Sequence, residues 1–190
     1  MSATQTDTFL AVMNAVTFPW EGTLTNDPED PGGLTNMGLT MDDLRRYSAS
    51  ATANDLRTLT RDEALGIYLA LYWMPVQGYA LQPAVACMVF DHGVNAGIGD
   101  SGKLLQRAIG FTGGPGQLID GNIGPDTRDA TLAVNDVAGL LARLWAAQDA
   151  DYRSKIDAAR YLDGWENRLG TQTSPAPSTR YGFSRTLLVG

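Results

Sequence analysis

Apolar residues recur at helical spacing along most of the chain. Phe9, Val12, Met13 and Val16 mark one face of a helix over 5–18, with Thr6 or Asp7 as its cap. Thr40-Met41-Asp42-Asp43 is a capping-box-like opening for a helix through Tyr47, and 54–59 reads as a short helical turn. Thr60-Arg61-Asp62-Glu63 is a second capping box. Its helix turns Ala64, Ile67, Tyr68, Leu71 and Tyr72 inward and reaches Trp73. The most apolar stretch, 82–96, is predicted as the central helix. Further helices follow over 98–111, 135–159 and 161–169, and Pro125 suits the first turn of another. The helical pattern lapses at 18–40, where Asn26, Asp27, Pro28, Pro31, Gly32 and Gly33 crowd together as turn formers. The chain is therefore predicted to be mostly α, with a small irregular or β-hairpin lobe at 21–40. Residues 171–179 look like a linker, and 180–190 either lack order or pack as an arm.

Composition narrows the functions. Hydrophobic residues make up 44% of 190, enough for a core and too many for a disordered chain. A net charge of −7 argues against nucleic acid, which needs a basic face. Cys87 lies in an apolar run and reads as a small buried hydrophobe. His92 is the one histidine, with no partner at ligand spacing, so no zinc site is expected. No Gly-x-Ser-x-Gly elbow accompanies it, and no loop has EF-hand spacing. Met1–Thr8 holds no Lys or Arg, unlike the start of a signal peptide, and no apolar run has membrane-spanning length. No metal or cofactor is expected.

The candidate chemistry sits in the lapse. Glu21 follows Phe18, Pro19 and Trp20, so partial desolvation should raise its pKa, as a general acid requires. It falls just past the predicted helix C-terminus, whose negative dipole end also favours the neutral acid. Asp30 lies in a polar turn beside Gly32 and Gly33, which can keep it ionised. Two carboxyls with diverging environments are the acid/base pattern of glycoside hydrolysis. A solvated turn with scattered acids is the competing reading. An arginine that pinned Glu21 as an anion would contradict the acid role. Tyr72, Trp73 and Met74 before Pro75 either line a sugar cleft or end a helix in the core. Asp91 and Asn95 share a helix face. They either buttress the catalytic turn, or Asn95 meets a sugar N-acetyl group, or they are an ordinary buried polar pair.

Glu21-Gly22, Thr25-Asn26-Asp27-Pro28-Glu29-Asp30-Pro31-Gly32-Gly33, Thr35-Asn36 and Gly38-Leu39-Thr40 together resemble the signature of glycoside hydrolase family 108, peptidoglycan-cleaving lysozymes that include many phage endolysins. Thr23 and Leu24 depart from the Gly-Tyr expected there, which removes an aromatic sugar contact. Phe90-Asp91-His92-Gly93-Val94-Asn95-Ala96-Gly97 and Gly164-Trp165-Glu166-Asn167-Arg168 are similar to later parts of the family pattern. The resemblance implies a lysozyme-like helical fold, with Glu21 as catalytic acid and Asp30 as its partner. It implies water positioned by Thr35 or Thr40; Tyr72, Trp73, Asp91 and Asn95 are the candidate substrate contacts read from the residues themselves. Leu105-Gln106 with Asp120-Gly121-Asn122-Ile123-Gly124-Pro125-Asp126-Thr127 resembles peptidoglycan-binding helical modules. The implied layout is a catalytic region at 5–97, a peptidoglycan-binding-like region at 98–170 packed on it, and a tail at 171–190. The implied activity is a muramidase cutting the β-1,4 bond between N-acetylmuramic acid and N-acetylglucosamine. A lytic transglycosylase on the same bond, and a non-catalytic peptidoglycan-binding or phage structural protein, are the alternatives. The expected partner is the glycan strand, met by a monomer made in the cytoplasm and released to the periplasm by a holin-type route. Arg45, Arg46, Arg153 and Lys155 would supply local attraction to an anionic wall.

Overall fold

The computed structural model describes residues 3–22, 24–26, 33–155, 158–173 and 176–188. Its first helix is not uniform. α1 (Ala3–Val12) passes into a π-helical turn, Met13–Thr17, and resumes as α2 (Phe18–Trp20). Pro19 gives a reason: in a regular α-helix its ring meets the carbonyl four residues back. The wider turn pairs residues five apart, with the Phe18 amide on the Met13 carbonyl, and opens room for the ring. The helix thus runs one residue beyond Pro19, and Glu21 is the first residue to leave it, with extended backbone.

Three short strands follow, β1 (Thr25–Asn26), β2 (Leu34–Asn36) and β3 (Leu39–Thr40), antiparallel in the order β1-β2-β3. Thr25, Thr35 and Thr40 lie opposite one another across this sheet. Met37 and Gly38 join β2 to β3 with φ of 49° and 76°, the two-residue turn that matches strand twist. A left-handed backbone is costly for Met37. The turn is held from outside, because the buried Tyr68 donates its hydroxyl hydrogen to the Met37 carbonyl at 2.9 Å.

Three reciprocal capping boxes then start α3 (Met41–Tyr47), α4 (Ala53–Arg57) and α5 (Arg61–Tyr68), from Thr40 with Asp43, Thr52 with Asp55 and Thr60 with Glu63. α5 ends in a second π-helical turn, Leu69–Trp73, which again lies just ahead of a proline, Pro75. α6 (Pro83–Ala96) is the central helix, with every residue from Ala84 to Gly93 buried. It packs against α7 (Ile98–Ala108) and, beyond α8 (Pro125–Leu132), against α9 (Val137–Ser154). α10 (Ala158–Leu169) lies on α9. The sequence-expected tail ends in a packed arm: α11 (Arg180–Thr186) lies on α6 with Arg180, Tyr181, Gly182 and Ser184 buried. The fold is thus mostly α and lysozyme-like, with a small β lobe. Among the described residues no helix is long and apolar enough to cross a membrane.

Core packing settles several sequence expectations. Cys87 is fully buried, and burial pushes its thiol up to about 12, so it is inert. Trp73 is fully buried too, with ring centroids 5.4 Å from Phe9 and 5.3 Å from Phe90. No face of Trp73 is open to a sugar, so it belongs to the core and not to a cleft.

His92 is buried beside Tyr152, its Nε2 3.4 Å from Asp151. Burial, only partly offset by Asp151, pushes its pKa down to about 4. The folded-state value lies below the unfolded one of about 6.5, so this stability is whole above pH ~6.5 and is lost as pH falls toward 4. Denaturation midpoints should decline through that window, and His92→Gln should flatten the decline.

Candidate active site around Glu21

The local sequence places Glu21 by three constraints. Its amide donates to the Thr17 carbonyl at 3.1 Å, which closes the last turn of the widened helix. Its side chain then turns inward, keeping 13% of its surface open. Finally, Gly38 of the hairpin lies against its carboxyl. A Cβ built at Gly38 would fall 2.0 Å from Glu21 Oε2 and 2.6 Å from the Tyr68 hydroxyl. Only glycine allows this approach, and only glycine takes that backbone without strain.

The other carboxyl oxygen, Oε1, accepts from Arg168 Nη1 at 2.6 Å. This is the arrangement that could have held Glu21 as an anion. The geometry shows why Arg168 does so incompletely. Its Nε and Nη2 grip Asp91 as a fork, at 2.9 and 2.6 Å, and only the remaining nitrogen reaches Glu21. Burial of Glu21 outweighs the attraction of Arg168, and the pKa of Glu21 stands above the ordinary glutamate value. Asp91 adds a little in the same upward direction. A buried but reachable carboxyl with a raised pKa suits proton donation.

Asp91 is fully buried and does not meet substrate, contrary to its expected contact role. It accepts from Thr17 Oγ1 and Arg168 Nη2 on Oδ1, and from Arg168 Nε and Arg180 Nε on Oδ2. Despite desolvation, the two arginines hold its carboxyl well below the usual range. Arg180 also donates to Gln148, to the Asp91 carbonyl and to the Tyr152 hydroxyl. Asn95 donates to that same hydroxyl at 3.3 Å, which ties it to this network. The tie runs from the helix before Glu21 through Asp91 to α10 and α11.

The remaining candidates spread around this centre. Tyr72 is half-buried, ring centroid 5.7 Å from Tyr68, and donates its hydroxyl hydrogen to Asp43 at 2.8 Å. Thr40 spends its hydroxyl inside the α3 capping box, both giving and accepting. Thr35 shares a 2.6 Å hydrogen bond with Thr25. Asp30 lies outside the described residues. Sequence reasoning missed Arg168, Arg180, Thr17, Tyr68 and Gly38 as parts of the site. Arg168 and Gly38 stood in quoted motifs, but neither shows from sequence which group it faces.

The Leu105-Gln106 and Asp120–Thr127 motif is also explained. Gln106 is buried and donates to Asp120, the Asn122 carbonyl and Thr127, while accepting the Gly121 amide. Gly102 and Gly121 let α7 touch this turn, since a Cβ on Gly102 would fall 2.0 Å from the Gly121 carbonyl. Gln77 donates to the Ile123 carbonyl and joins the turn to the segment after Trp73. A cavity of about 340 Å³ opens beside it, lined in part by Phe111, Leu118, Asn122 and Asp126.

The family model described as Glycosyl hydrolase 108 matches residues 14–97. Among solved structures, one titled "Structure of Brucella abortus SagA" is similar to this chain, with 26% identity and a TM-score of 0.78. The similarity covers 97% of this chain and 95% of that one. No curated protein matches. Residues 14–97, which hold Glu21, the Met37-Gly38 hairpin and Asp91, are thus the part of the chain that is similar to glycosyl hydrolase 108.

Proposed function

We propose that the chain is a peptidoglycan hydrolase of the muramidase type, cleaving the β-1,4 bond between N-acetylmuramic acid and N-acetylglucosamine. One observation carries this reading: a partly open carboxyl, Glu21, whose burial raises its pKa, at the hairpin of the part similar to glycosyl hydrolase 108. Protonated Glu21 gives its proton to the glycosidic oxygen, and the leaving sugar departs from an oxocarbenium-like centre. Asp30 supports that centre or orients water. Of the two threonines, Thr35 is the better water-positioning group, because Thr40 already uses its hydrogen and a lone pair in the capping box. Tyr72 borders the acid side through Tyr68 and is retained as a substrate contact. The cavity beside the Asp120–Thr127 turn is the place where residues 98–170 would hold a glycan.

The products decide the chemistry. Purified peptidoglycan digested by the protein should release muropeptides with reducing N-acetylmuramic acid ends by mass spectrometry. Anhydro ends would mean transglycosylation, in which the sugar's own hydroxyl replaces water. No release at all would sink the hydrolase reading.

Gly38→Ala tests the hairpin contact. The left-handed backbone alone costs about 1–2 kcal/mol, read as a lowered denaturation midpoint. The added methyl would also displace Glu21 or the turn, and a misplacement near 1 Å costs on the order of 10²-fold in rate. Activity should therefore fall by more than the loss of folded protein explains.

A further inference from the structure

The C-terminal helix α11 lies far outside the matched 14–97, yet it reaches the surroundings of the acid at two points. The Ser178 carbonyl, just before it, accepts from the indole of Trp20, the residue preceding Glu21. Arg180, at its first position, is fully buried against Asp91. We propose that Asp91 and Arg180 are positioning residues for the reaction: together they divide the Arg168 guanidinium between two carboxylates and so set how firmly it grips Glu21. The proposal rests on Glu21 as the acid for its catalytic meaning, but its physical core does not.

The charges make the argument. With Glu21 ionised, two carboxylates, Glu21 and Asp91, balance two guanidiniums, Arg168 and Arg180. Asp91 takes the two-pronged grip of Arg168, leaving Glu21 a single bond. Arg180 neutralises Asp91 from the other side, and its own position is fixed by Gln148 and Tyr152. The groups that face Glu21 electrostatically are Arg168 of α10, Asp91 of α6, Tyr68 of α5 and Tyr72 of the second π-helical turn. Those that face Asp91 are Arg168, Arg180, Glu21, Cys87 and the hydroxyl of Thr17. Removing Asp91's charge leaves Arg168 wholly to Glu21 and favours the ionised acid. Removing Arg180's charge leaves the cluster short of a cation and favours the protonated acid. The two changes therefore push Glu21 in opposite directions, which a merely structural role would not do.

The test is a carbon-13 NMR titration of labelled glutamate carboxyls in the full chain. There are four glutamates, and Glu21→Gln identifies the resonance by its loss. Asp91→Asn should lower the Glu21 midpoint, both by removing a like charge and by leaving the Arg168 guanidinium to Glu21. Arg180→Gln should raise it, and Arg180→Lys, which keeps the charge, should hold it at the wild-type value. In the pH profile of kcat, the alkaline limb should follow the same order. Shifts in one direction for both neutralising variants, or none in folded protein, would overturn the proposal. If either variant does not fold, the sign of the other's shift decides: a raised or unmoved midpoint in Asp91→Asn, or a lowered or unmoved one in Arg180→Gln, overturns it. The titration needs no activity, so an inactive wild type would defeat the hydrolase reading and leave this result standing.

Discussion

Replacing Glu21 by glutamine is expected to lower peptidoglycan turnover by about 10²–10⁴-fold, the usual contribution of a positioned general acid. Glutamine keeps the shape of the side chain and an oxygen for Arg168 Nη1. It cannot give a proton to a leaving sugar. The loss should fall on kcat more than on KM, because the missing interaction forms only as the bond breaks. The variant should stay folded, with a thermal midpoint near that of the wild type. Clearing of peptidoglycan at the wild-type rate would remove Glu21 from the mechanism.

The largest effect on stability is expected at Asp91. Asp91→Ala would leave Arg168 and Arg180 buried together with no carboxylate between them. Removing one partner of a buried ion pair costs about 3–5 kcal/mol, and here one residue serves two partners. The expected result is a large drop in the denaturant midpoint at pH 7. The sign with pH is also fixed. The pKa of Asp91 is depressed in the folded state, so its stabilisation is present above the ordinary aspartate value and fades as pH falls below it. Wild type and Asp91→Ala should therefore converge in stability under strong acid. A small stability change at neutral pH would show that Asp91 does not hold the two arginines together.

Most of the scaffold was legible because its signals are local. Thr40 and Thr60 each stand three residues before an acid, and each starts the helix that a capping box predicts. The apolar run at 82–96 became the buried central helix, since a helix apolar on all sides has nowhere else to go. The lapse of helical spacing at 21–40 foretold the small β lobe, of which 27–32 lie outside the described residues. The π-helical turns were not legible, because a widened turn keeps the same apolar spacing until it slips by one residue. Trp73 lies in the core while its neighbour Tyr72 reaches Asp43.

The candidate acid, Glu21, was visible in its setting of Phe18, Pro19 and Trp20. Its electrostatic partners were not. Arg168 and Arg180 are 147 and 159 residues from Glu21 along the chain, by subtraction of their numbers. Arginines near a chain end usually read as solvated charge. Nothing local says that Arg180 is fully buried or that Arg168 spans two carboxylates. Likewise Gly38 reads as a turn glycine, which it is. Its second role, making room for the Glu21 carboxyl, depends on where the first helix ends, at Trp20, which turn chemistry at Gly38 does not reveal.

The central claim is that burial raises the affinity of Glu21 for its proton, although an arginine touches it. Titration of the Glu21 carboxyl in the wild-type chain tests this most directly. The account predicts a midpoint above the ordinary glutamate value of 4.5. A midpoint at or below that value would mean that Arg168 wins over burial, and would contradict the acid role.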